Sequence, residues 1–265
     1  MKQHTTGFPV SCVAVAVLVF LAAPILLVFP LALNTSEYLS FPPKGLTLRW
    51  VTDVLSDTAW LDSIWLSARV AALATVLTLL LSLLASLALV RERFPFKRLV
   101  YAVVLLPMIV PNIIAAIAMF FFFADMPSLG SVASIVLGHA VVSAPIAVII
   151  LSSTLQAFDM RLENAAMSLG ASRVTAFRRI TLPMIAPGLA SAFIFAFLTS
   201  FDELLIALFL SGTGAQTLPV RIWNAVLFQL DPKIAAVSAL LVIVSALTLA
   251  LASLFSRRGP DAADR

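Results

Sequence analysis

The dominant pattern in the sequence is a series of long apolar runs separated by shorter polar segments. A helix needs about 20 residues to cross the hydrocarbon core of a bilayer. Because hydrocarbon offers no partner for backbone N–H and C=O groups, membrane-spanning runs of this kind must be helical. The pattern therefore predicts an all-α integral membrane protein with about six transmembrane helices, at residues 8–33, 62–90, 99–123, 128–155, 189–210 and 232–255.

Local signals support the two terminal spans. The first run is too long for the apolar region of a signal peptide, and no polar stretch with a small-residue cleavage site follows it, so we interpret it as a helix. Asp231 and Pro232 are typical of a helix start, since Asp caps the first turn and proline suits the first helical position.

Composition agrees with this interpretation. Hydrophobic residues make up 62% of the chain and charged residues 11%, whereas a soluble domain carries about 25% charged residues. The loops are too short to hold a folded soluble domain, so we expect residues 1–265 to form one transmembrane domain. Cys12 is the only cysteine, which excludes an internal disulfide and a cysteine-based zinc site.

The distribution of Lys and Arg predicts the orientation, because cytoplasmic loops carry an excess of both. Twelve of the 17 basic residues fall on one side if the N-terminus is inside: Lys2, Arg91, Arg93, Lys97, Arg98, Arg161, Arg173, Arg178, Arg179, Arg257, Arg258 and Arg265. Both termini are therefore predicted to be cytoplasmic. The net charge of +4 is not a nucleic-acid signal here.

Two loops are long enough to have structure of their own. The outer loop, about 34–61, contains an amphipathic stretch that we expect to lie along the membrane surface, with Trp50, Val51, Val54 and Leu55. The inner loop, 159–188, is the most informative segment of the chain.

The inner loop carries the signals of a helix, a turn and a second helix. Asp159 can cap a short helix over about 160–169. Gly170 suits the left-handed turn that ends such a helix, and Ser172 can cap the next one.

The second helix of the loop would carry Val174, Phe177 and Ile180 on one face, and Pro183 and Pro187 would stop it before the fifth span. A compact hairpin with an apolar ridge and several arginines is suited to dock into a groove on a soluble partner. The alternative is a basic amphipathic loop lying on anionic lipid.

The run from Glu163 to Ser172, Glu-Asn-Ala-Ala-Met-Ser-Leu-Gly-Ala-Ser, resembles the EAA loop of bacterial ABC-importer permeases. Phe177 and Leu182-Pro183 follow at their usual spacings, and the loop lies on the inner side before the last two spans. The usual form is Glu-Ala-Ala, three residues and Gly. Here Asn164 takes the first Ala position and the pair Ala165-Ala166 follows, with three residues before Gly170, which is a mild departure.

The resemblance implies a type I ABC-importer permease fold, multi-pass in the bacterial inner membrane. It implies a coupling helix that seats in a cytoplasmic ABC ATPase dimer, a second homologous permease subunit, a periplasmic substrate-binding protein and surrounding membrane lipid. The residues it assigns to ATPase coupling are Glu163, Ala165, Ala166, Leu169, Gly170 and Phe177.

The sequence lacks the motifs of an enzyme. No Gly-x-x-x-x-Gly-Lys-Ser/Thr segment occurs among its nine glycines, so ATP and magnesium are expected on the partner ATPase and no cofactor on this chain. No catalytic constellation and no metal-ligand spacing are present. Of the two histidines, His4 lies in the tail and His139 is interpreted as a helix-contact residue rather than a proton relay.

Ionisable residues inside a membrane span are costly and usually face a cavity or a partner charge. Asp202 and Glu203 in the fifth span are candidates for a substrate path that attracts a cation. Alternatively, one of them pairs with Arg69 of the second span or stays wet near the outer interface. Adjacent helical positions diverge by about 100°, so both carboxylates cannot face a path equally.

The last third of the chain resembles the second permease subunit of spermidine/putrescine importers. The resemblance rests on Ser200 to Gly212, Thr217 to Trp223 and Asp231 to Ser238. It implies transport of a polyamine and contact of the outer segment 211–230 with the binding protein. Arg221 and Trp223 are candidate contacts, and interfacial anchoring is the alternative for both.

Two other classes stay open beside this importer. An ion-gradient-driven secondary transporter would often carry internal repeats and broken helices, and no clear repeat relates the two halves. A structural or channel subunit would bind no ATPase. An ABC importer for a different small solute is the nearest alternative, since the family carries several.

Overall fold

The computed structural model describes residues 8–126, 131–212, 214–228 and 231–256. These residues are almost entirely helical, which confirms the predicted all-α class. An isolated antiparallel bridge joins Asn34 to Leu46. The helices are α1 Phe8–Ala32, α2 Arg49–Ser56, α3 Thr58–Arg91, α4 Lys97–Ile109, α5 Asn112–Ala124, α6 Ser131–Ala157, α7 Met160–Ser168, α8 Arg173–Ala176, a π-helix at Phe177–Thr181, α9 Leu182–Met184, α10 Ala186–Phe201, α11 Leu205–Leu210, α12 Leu218–Phe228 and α13 Lys233–Ser256.

Three helices are long and apolar enough to cross a membrane, namely α3, α6 and the stretch Cys12–Ala32 of α1. Two bent pairs of helices raise the number of candidate spans to five if each pair is one span. The sixth predicted span coincides with α13. Its described apolar part, Lys233–Leu247, belongs to the shorter apolar helices of 10–17 residues.

The third predicted span is not one helix. It consists of α4 and α5, which are bent by 104° relative to each other. Val110 is extended, with ψ 130°, and Pro111 follows it with ψ 130°. Proline disfavours a helical conformation in the residue before it and has no N–H to continue the helix. The expectation of a continuous helix over 99–123 was therefore wrong.

The fifth predicted span is also interrupted. Helix α10 ends at Phe201 and α11 begins at Leu205. The side chain of Glu203 accepts the backbone N–H of Ile206 at 3.1 Å. A side chain that satisfies the first free N–H groups favours a new helix start over continuation of the old one. The span 189–210 is thus two helices.

The chain forms two compact units, and the first comprises Met1–Leu61 and Ile222–Arg265. In this unit α1 and α2 both contact α13. Trp50 and Val54, on the apolar face of α2, are buried, and the Trp50 indole donates to the Asn34 carbonyl at 2.8 Å. One face of the amphipathic segment is therefore covered by protein; its position on a membrane surface stays a prediction.

The second unit comprises Asp62–Arg221. Within it α6 contacts α4, α10 and α11, and α5 contacts α11. A buried apolar cluster joins α3, α5, α6 and α11 to the segment at 215–220. Its members are Val70, Ala116, Ile135, Ile206, Ala207, Leu210, Ala215 and Val220. Helices α6 and α10 approach closely at Gly188, where an added Cβ would lie 2.2 Å from Thr154 Oγ1.

A ladder of hydroxyl groups joins α3 to α6. Thr78, Ser82 and Ser86 donate to backbone carbonyls of α6, those of Ala140, Ala144 and Val148, at 3.3, 3.4 and 3.3 Å. The spacing is four residues on both helices, so the two helices run parallel with one matched face. Small polar residues at such an interface let helix backbones approach closely in a membrane.

Some sequence predictions fall on positions outside the described residues. These are His4, the start of the fourth span at Ser128, and four of the inner-side basic residues, Lys2, Arg257, Arg258 and Arg265. The predicted single domain over 1–265 and the cytoplasmic location of both termini remain predictions.

Candidate functional site

The inner loop folds into the predicted helix–turn–helix, which we name the coupling hairpin and define as residues 159–184. Its first helix is capped by Asp159, whose side chain accepts the N–H of Arg161 at 2.9 Å. Gly170 follows with φ +91°, a value that favours glycine. The Ala171 N–H donates to the Ala166 carbonyl at 3.1 Å, which closes the helix end in the manner of a Schellman turn.

The second half of the coupling hairpin begins as predicted and then departs from a regular helix. The Ser172 side chain accepts the N–H of Thr175 at 3.2 Å. After α8 the backbone changes to a π-helix at Phe177–Thr181. A π turn holds more residues than an α turn, so the positions that share one face of the helix change after Phe177. Val174 is exposed, whereas Ile180 packs against a buried cluster that includes Ile185. The predicted continuous ridge is therefore divided.

The break before the fifth span lies at Ile185, between the two prolines of the sequence signal. The helices Arg173–Met184 and Ala186–Phe201 are bent by 68° at this point. Pro187 has no N–H to donate to the preceding turn, and proline is tolerated in the first turn of a new helix. The prolines thus end the coupling hairpin where the sequence placed its end.

The outer face of the coupling hairpin presents small and apolar side chains. Leu169 is 90% exposed, and Ala165 and Gly170 are also exposed, while Ala166 and Phe177 are half-buried. On this face, small residues would let a partner's backbone come close, and Leu169 projects as a large apolar side chain. Such a surface can seat in a groove of a partner protein.

Glu163 takes a different position from its neighbours in the motif. It is buried at 6% exposure, and its carboxylate Oε2 lies 2.9 Å from Arg91 Nη2, at the end of α3. The second carboxylate oxygen accepts from Arg91 Nη1 at 3.3 Å. The Thr181 hydroxyl also donates to Glu163 Oε2. The segment 163–170 therefore contributes one side chain to an internal ion pair.

The two candidate path carboxylates differ in environment. Asp202 is exposed, whereas Glu203 is 8% exposed and caps α11 through Ile206. Arg69 is exposed and, within the part of the chain that the structure describes, forms no ion pair with either carboxylate. Of the two carboxylates, only that of Asp202 is exposed.

Three stacked phenylalanines lead along α10 to Asp202. The ring centroids of Phe193 and Phe197 are 6.2 Å apart and those of Phe197 and Phe201 are 5.9 Å apart, with interplanar angles of 12° and 16°. The rings share one face because they are four residues apart in a helix. An aromatic column thus ends beside an exposed carboxylate.

The two candidate contacts for a binding protein, Arg221 and Trp223, differ in burial and in hydrogen bonding. The Arg221 guanidinium donates through Nε to Ser63 Oγ at 2.7 Å and is half-buried. Trp223 is 41% exposed. Arg221 therefore has an internal partner, and Trp223 presents more of its surface.

His139 contacts a neighbouring helix, as its interpretation as a helix-contact residue requires. It is 1% exposed, and its Nδ1 lies 2.9 Å from the Ser200 hydroxyl of α10. Among the described residues, no group of three or more His, Cys, Asp or Glu side chains is arranged to hold a metal ion.

Sequence reasoning missed the roles of Arg91 and Thr181. Arg91 counted only toward the inner-side charge, and Thr181 was one residue of the loop. The four-residue spacing of Thr78, Ser82 and Ser86 was a visible signal for the hydroxyl ladder. No local signal pairs Arg91 with Glu163, because 72 residues separate them.

Comparison with known proteins gives a consistent result. Residues 78–258 match the family described as the binding-protein-dependent transport system inner membrane component. The putrescine transport system permease protein PotI of Escherichia coli K12 is 32% identical over 229 residues, which cover 84% of this chain and 81% of that protein. The spermidine/putrescine transport system permease protein PotC of Haemophilus influenzae is 28% identical over 240 residues, 90% of this chain and 93% of that protein.

The chain is also similar to a permease named for a different solute and to a solved ABC transporter. The sulfoquinovosyl glycerol transport system permease protein SmoH of Agrobacterium fabrum is 32% identical over 189 residues, 71% of this chain and 66% of that protein. A solved bacterial ABC transporter involved in the import of alginate superposes with a TM-score of 0.72 at 15% identity, covering 98% of this chain and 100% of that chain. At that identity the likeness concerns the fold alone.

The helical fold, the solved structures that share it and the family match over most of the chain lead to one assignment. The expected kinship with binding-protein-dependent permeases and the expected inner-membrane location are confirmed by the family. The chain belongs to the family of inner-membrane components, or permeases, of binding-protein-dependent transport systems.

Proposed function

We propose that this permease subunit imports a polyamine such as putrescine or spermidine, driven by ATP that a separate cytoplasmic ATPase dimer hydrolyses. The observation that carries the proposal is the coupling hairpin, with a capped first helix, a glycine turn at φ +91° and an outward-facing Leu169. This surface is shaped to seat in a protein groove. A basic loop that merely lay on lipid would not need such a turn.

ATP chemistry is assigned to the partner. The chain has no phosphate-binding loop among its nine glycines, so ATP and magnesium would be held by the ATPase. Binding and closure of two ATPase subunits would then move the coupling hairpin of this chain and that of a second permease subunit. The permease contributes movement and a path, with no reaction of its own.

The polyamine assignment rests on two kinds of support. Two relatives carry putrescine or spermidine in their names. Asp202 is an exposed carboxylate at the end of the Phe193–Phe201 column. Ammonium groups are attracted both to carboxylates and to aromatic faces. A flexible dication could therefore bind beside the end of the column, with Asp202 as its polar contact.

A periplasmic binding protein would deliver the solute to the outer segment. Trp223 is the better candidate contact of the two predicted residues, since Arg221 already donates to Ser63. Arg221 would then stabilise the outer end of α3.

The decisive test is uptake of radiolabelled putrescine by proteoliposomes that hold the complete transporter, with ATP inside. Asp202→Asn is expected to lower uptake about tenfold, since a close charge pair contributes about 1–4 kcal/mol. Glu203→Gln keeps an oxygen that can accept the Ile206 N–H and is expected to retain most uptake. Full uptake by the Asp202 variant would remove that residue from the path.

The solute itself is tested on the binding protein. Thermal stabilisation of the binding protein by putrescine or spermidine is expected. Stabilisation by a neutral solute or an anion would overturn the polyamine assignment and leave the importer standing; SmoH illustrates a relative named for a different solute. Uptake by this chain alone, driven by an ion gradient, would instead establish the secondary-transporter alternative.

A further inference from the structure

The coupling hairpin is attached to the rest of the protein at its two chain ends and also through side-chain contacts with α3. The chain enters the hairpin from α6 and leaves it toward α10. The third connection is made by side chains, since Arg91 at the end of α3 reaches Glu163 in α7 and Thr181 in the π-helix. The inner end of α3 is therefore tied to both helices of the hairpin.

We name the contact of Arg91 with Glu163 and Thr181 the clamp. Arg91 forms a two-pronged pair with Glu163, at 2.9 Å through Nη2 and 3.3 Å through Nη1. Thr181, which is 0% exposed, donates to the same carboxylate. The guanidinium also lies over the Phe158 ring at 5.9 Å. A planar guanidinium holds a carboxylate in a defined orientation, which an ammonium group does not.

Burial makes the clamp stiff. The side chains of Arg91 and Glu163 are 19% and 7% exposed, so water competes little for either charge. Breaking such a pair by removing one partner leaves an uncompensated charge in a poorly hydrated place. A displacement of the hairpin relative to α3 would strain or break this pair, so the two elements are expected to move together.

Helix α3 extends this connection toward the opposite end of the same unit. The hydroxyl ladder binds α3 to α6 along its length. At its other end, Ser67 accepts the N–H of Leu218 and Ser63 accepts from Arg221, both at 2.7 Å. One continuous helix thus links the coupling hairpin to the segment that precedes and begins α12.

We propose that Arg91, through Glu163 and Thr181, is a positioning residue that makes the coupling hairpin and α3 one mechanical element. A displacement of the hairpin is then carried along α3 to the outer segment at 217–221. The inference rests on the proposed function and assigns Glu163 to the interior of the permease, leaving Ala165, Leu169 and Gly170 as the partner-facing part of the motif.

The first experiment measures the stiffness of the hairpin and needs no ATPase. A spin label is attached at Leu169→Cys in the full-length chain in lipid nanodiscs, with Cys12 replaced by Ser. Arg91→Met and Glu163→Gln are expected to raise the mobility of the label, whereas Arg93→Met, at an exposed arginine two residues away, is expected to leave it unchanged. Unchanged mobility in both clamp variants would overturn the proposal.

The second experiment measures coupling in the complete transporter. The solute transported per ATP hydrolysed is expected to fall about tenfold in Arg91→Met, within the range typical of coupling between linked sites. The double variant R91M/E163Q is expected to be no worse than R91M, since the two groups act as a pair. Losses that simply add, or an undiminished transport ratio in R91M, would contradict the clamp.

The two experiments distinguish a failure of the proposed function from a failure of the clamp. If the unmodified transporter shows no ATP-driven uptake, the proposed function fails, while the label mobility still decides whether the clamp exists. If uptake is ATP-driven and the mobility is unaffected by Arg91→Met, the clamp fails and the importer stands.

Discussion

At the scale of single residues, three acidic side chains take three different positions. Glu163 is buried in an ion pair with Arg91, Glu203 is buried as the cap of α11, and Asp202 is exposed. The carboxylate chemistry is the same in each case. Burial and the nearest donor decide whether the group pairs with another helix, caps a helix start or stays exposed.

Gly170 provides a test at this scale. Its φ of +91° costs a residue with a side chain about 1–2 kcal/mol, and nothing lies within 4 Å of an added Cβ. We expect Gly170→Asp to leave the protein inserted in the membrane but to abolish transport, because the hairpin turn and its partner-facing surface change. Membrane fractionation and solute uptake measure the two properties.

The control for this prediction is Gly214→Asp, the same change at a glycine with open space around it and no left-handed conformation. It is expected to insert in the membrane as Gly170→Asp does, and it controls for insertion alone, because residue 214 lies in the outer segment 211–230 that is assigned to the binding protein. Normal transport by Gly170→Asp would count against the coupling role of the hairpin.

At the scale of elements, close contacts between helices depend on small residues. An alanine Cβ at Gly188 would lie 2.2 Å from Thr154 Oγ1 and 2.6 Å from its Cγ2. Gly188→Ala is therefore expected to lower the unfolding free energy by about 1–3 kcal/mol, which is typical of overpacking. Thermal unfolding in detergent measures the loss.

Two further variants sharpen this prediction. Adding Thr154→Ala to Gly188→Ala is expected to recover part of the stability, because the two nearest contacts come from atoms that this change removes. Gly214→Ala adds the same methyl group where nothing lies within 4 Å and should be neutral. Equal stabilities of the Gly188 and Gly214 variants would show that α6 and α10 do not approach closely.

The hydroxyl ladder between α3 and α6 allows a second prediction for an element. Ser82→Ala removes one side-chain bond to a carbonyl and should cost about 0.6 kcal/mol, a typical value inside membranes. Ser86→Ala also leaves Ser152, 5% exposed, without its acceptor at 3.2 Å. An unsatisfied buried hydroxyl costs about 1–3 kcal/mol, so Ser86→Ala should be the more destabilising change in the same unfolding measurement.

At the scale of the whole molecule, the excess of arginine on one side predicts the orientation in the membrane. Single cysteines at Leu169, 90% exposed, and at Met126, 43% exposed, would report it in a chain whose Cys12 is replaced by Ser. We expect a membrane-impermeant maleimide to label Met126→Cys in intact spheroplasts and Leu169→Cys only after lysis. The reverse pattern would invert the predicted topology.

Much of this molecule follows from local chemistry. Apolar runs longer than a bilayer is thick have to be helical, so the all-α class could be predicted from composition and spacing. Asp159, Gly170 and Ser172 act on N–H groups or φ angles within a few residues of themselves, and for this reason the coupling hairpin was predicted almost to its ends.

The breaks within the third and fifth spans could not be predicted from local sequence. Pro111 was visible in the sequence, but an apolar run that continues past a proline can be a kinked helix or two helices. The 104° bend between α4 and α5 depends on what surrounds the break. Likewise the pattern across Asp202 and Glu203 gave no sign that the helix restarts there.

The partners of buried polar groups were decided only by the tertiary structure. Arg91 and Glu163 meet across 72 residues, and Ser86 reaches a carbonyl 62 residues away. Hydrophobic periodicity reports which face of a helix avoids water, because that preference acts on each residue separately. Which two faces meet depends on the packing of all helices at once, and the clamp, the ladder and the exposure of Asp202 are consequences of that packing.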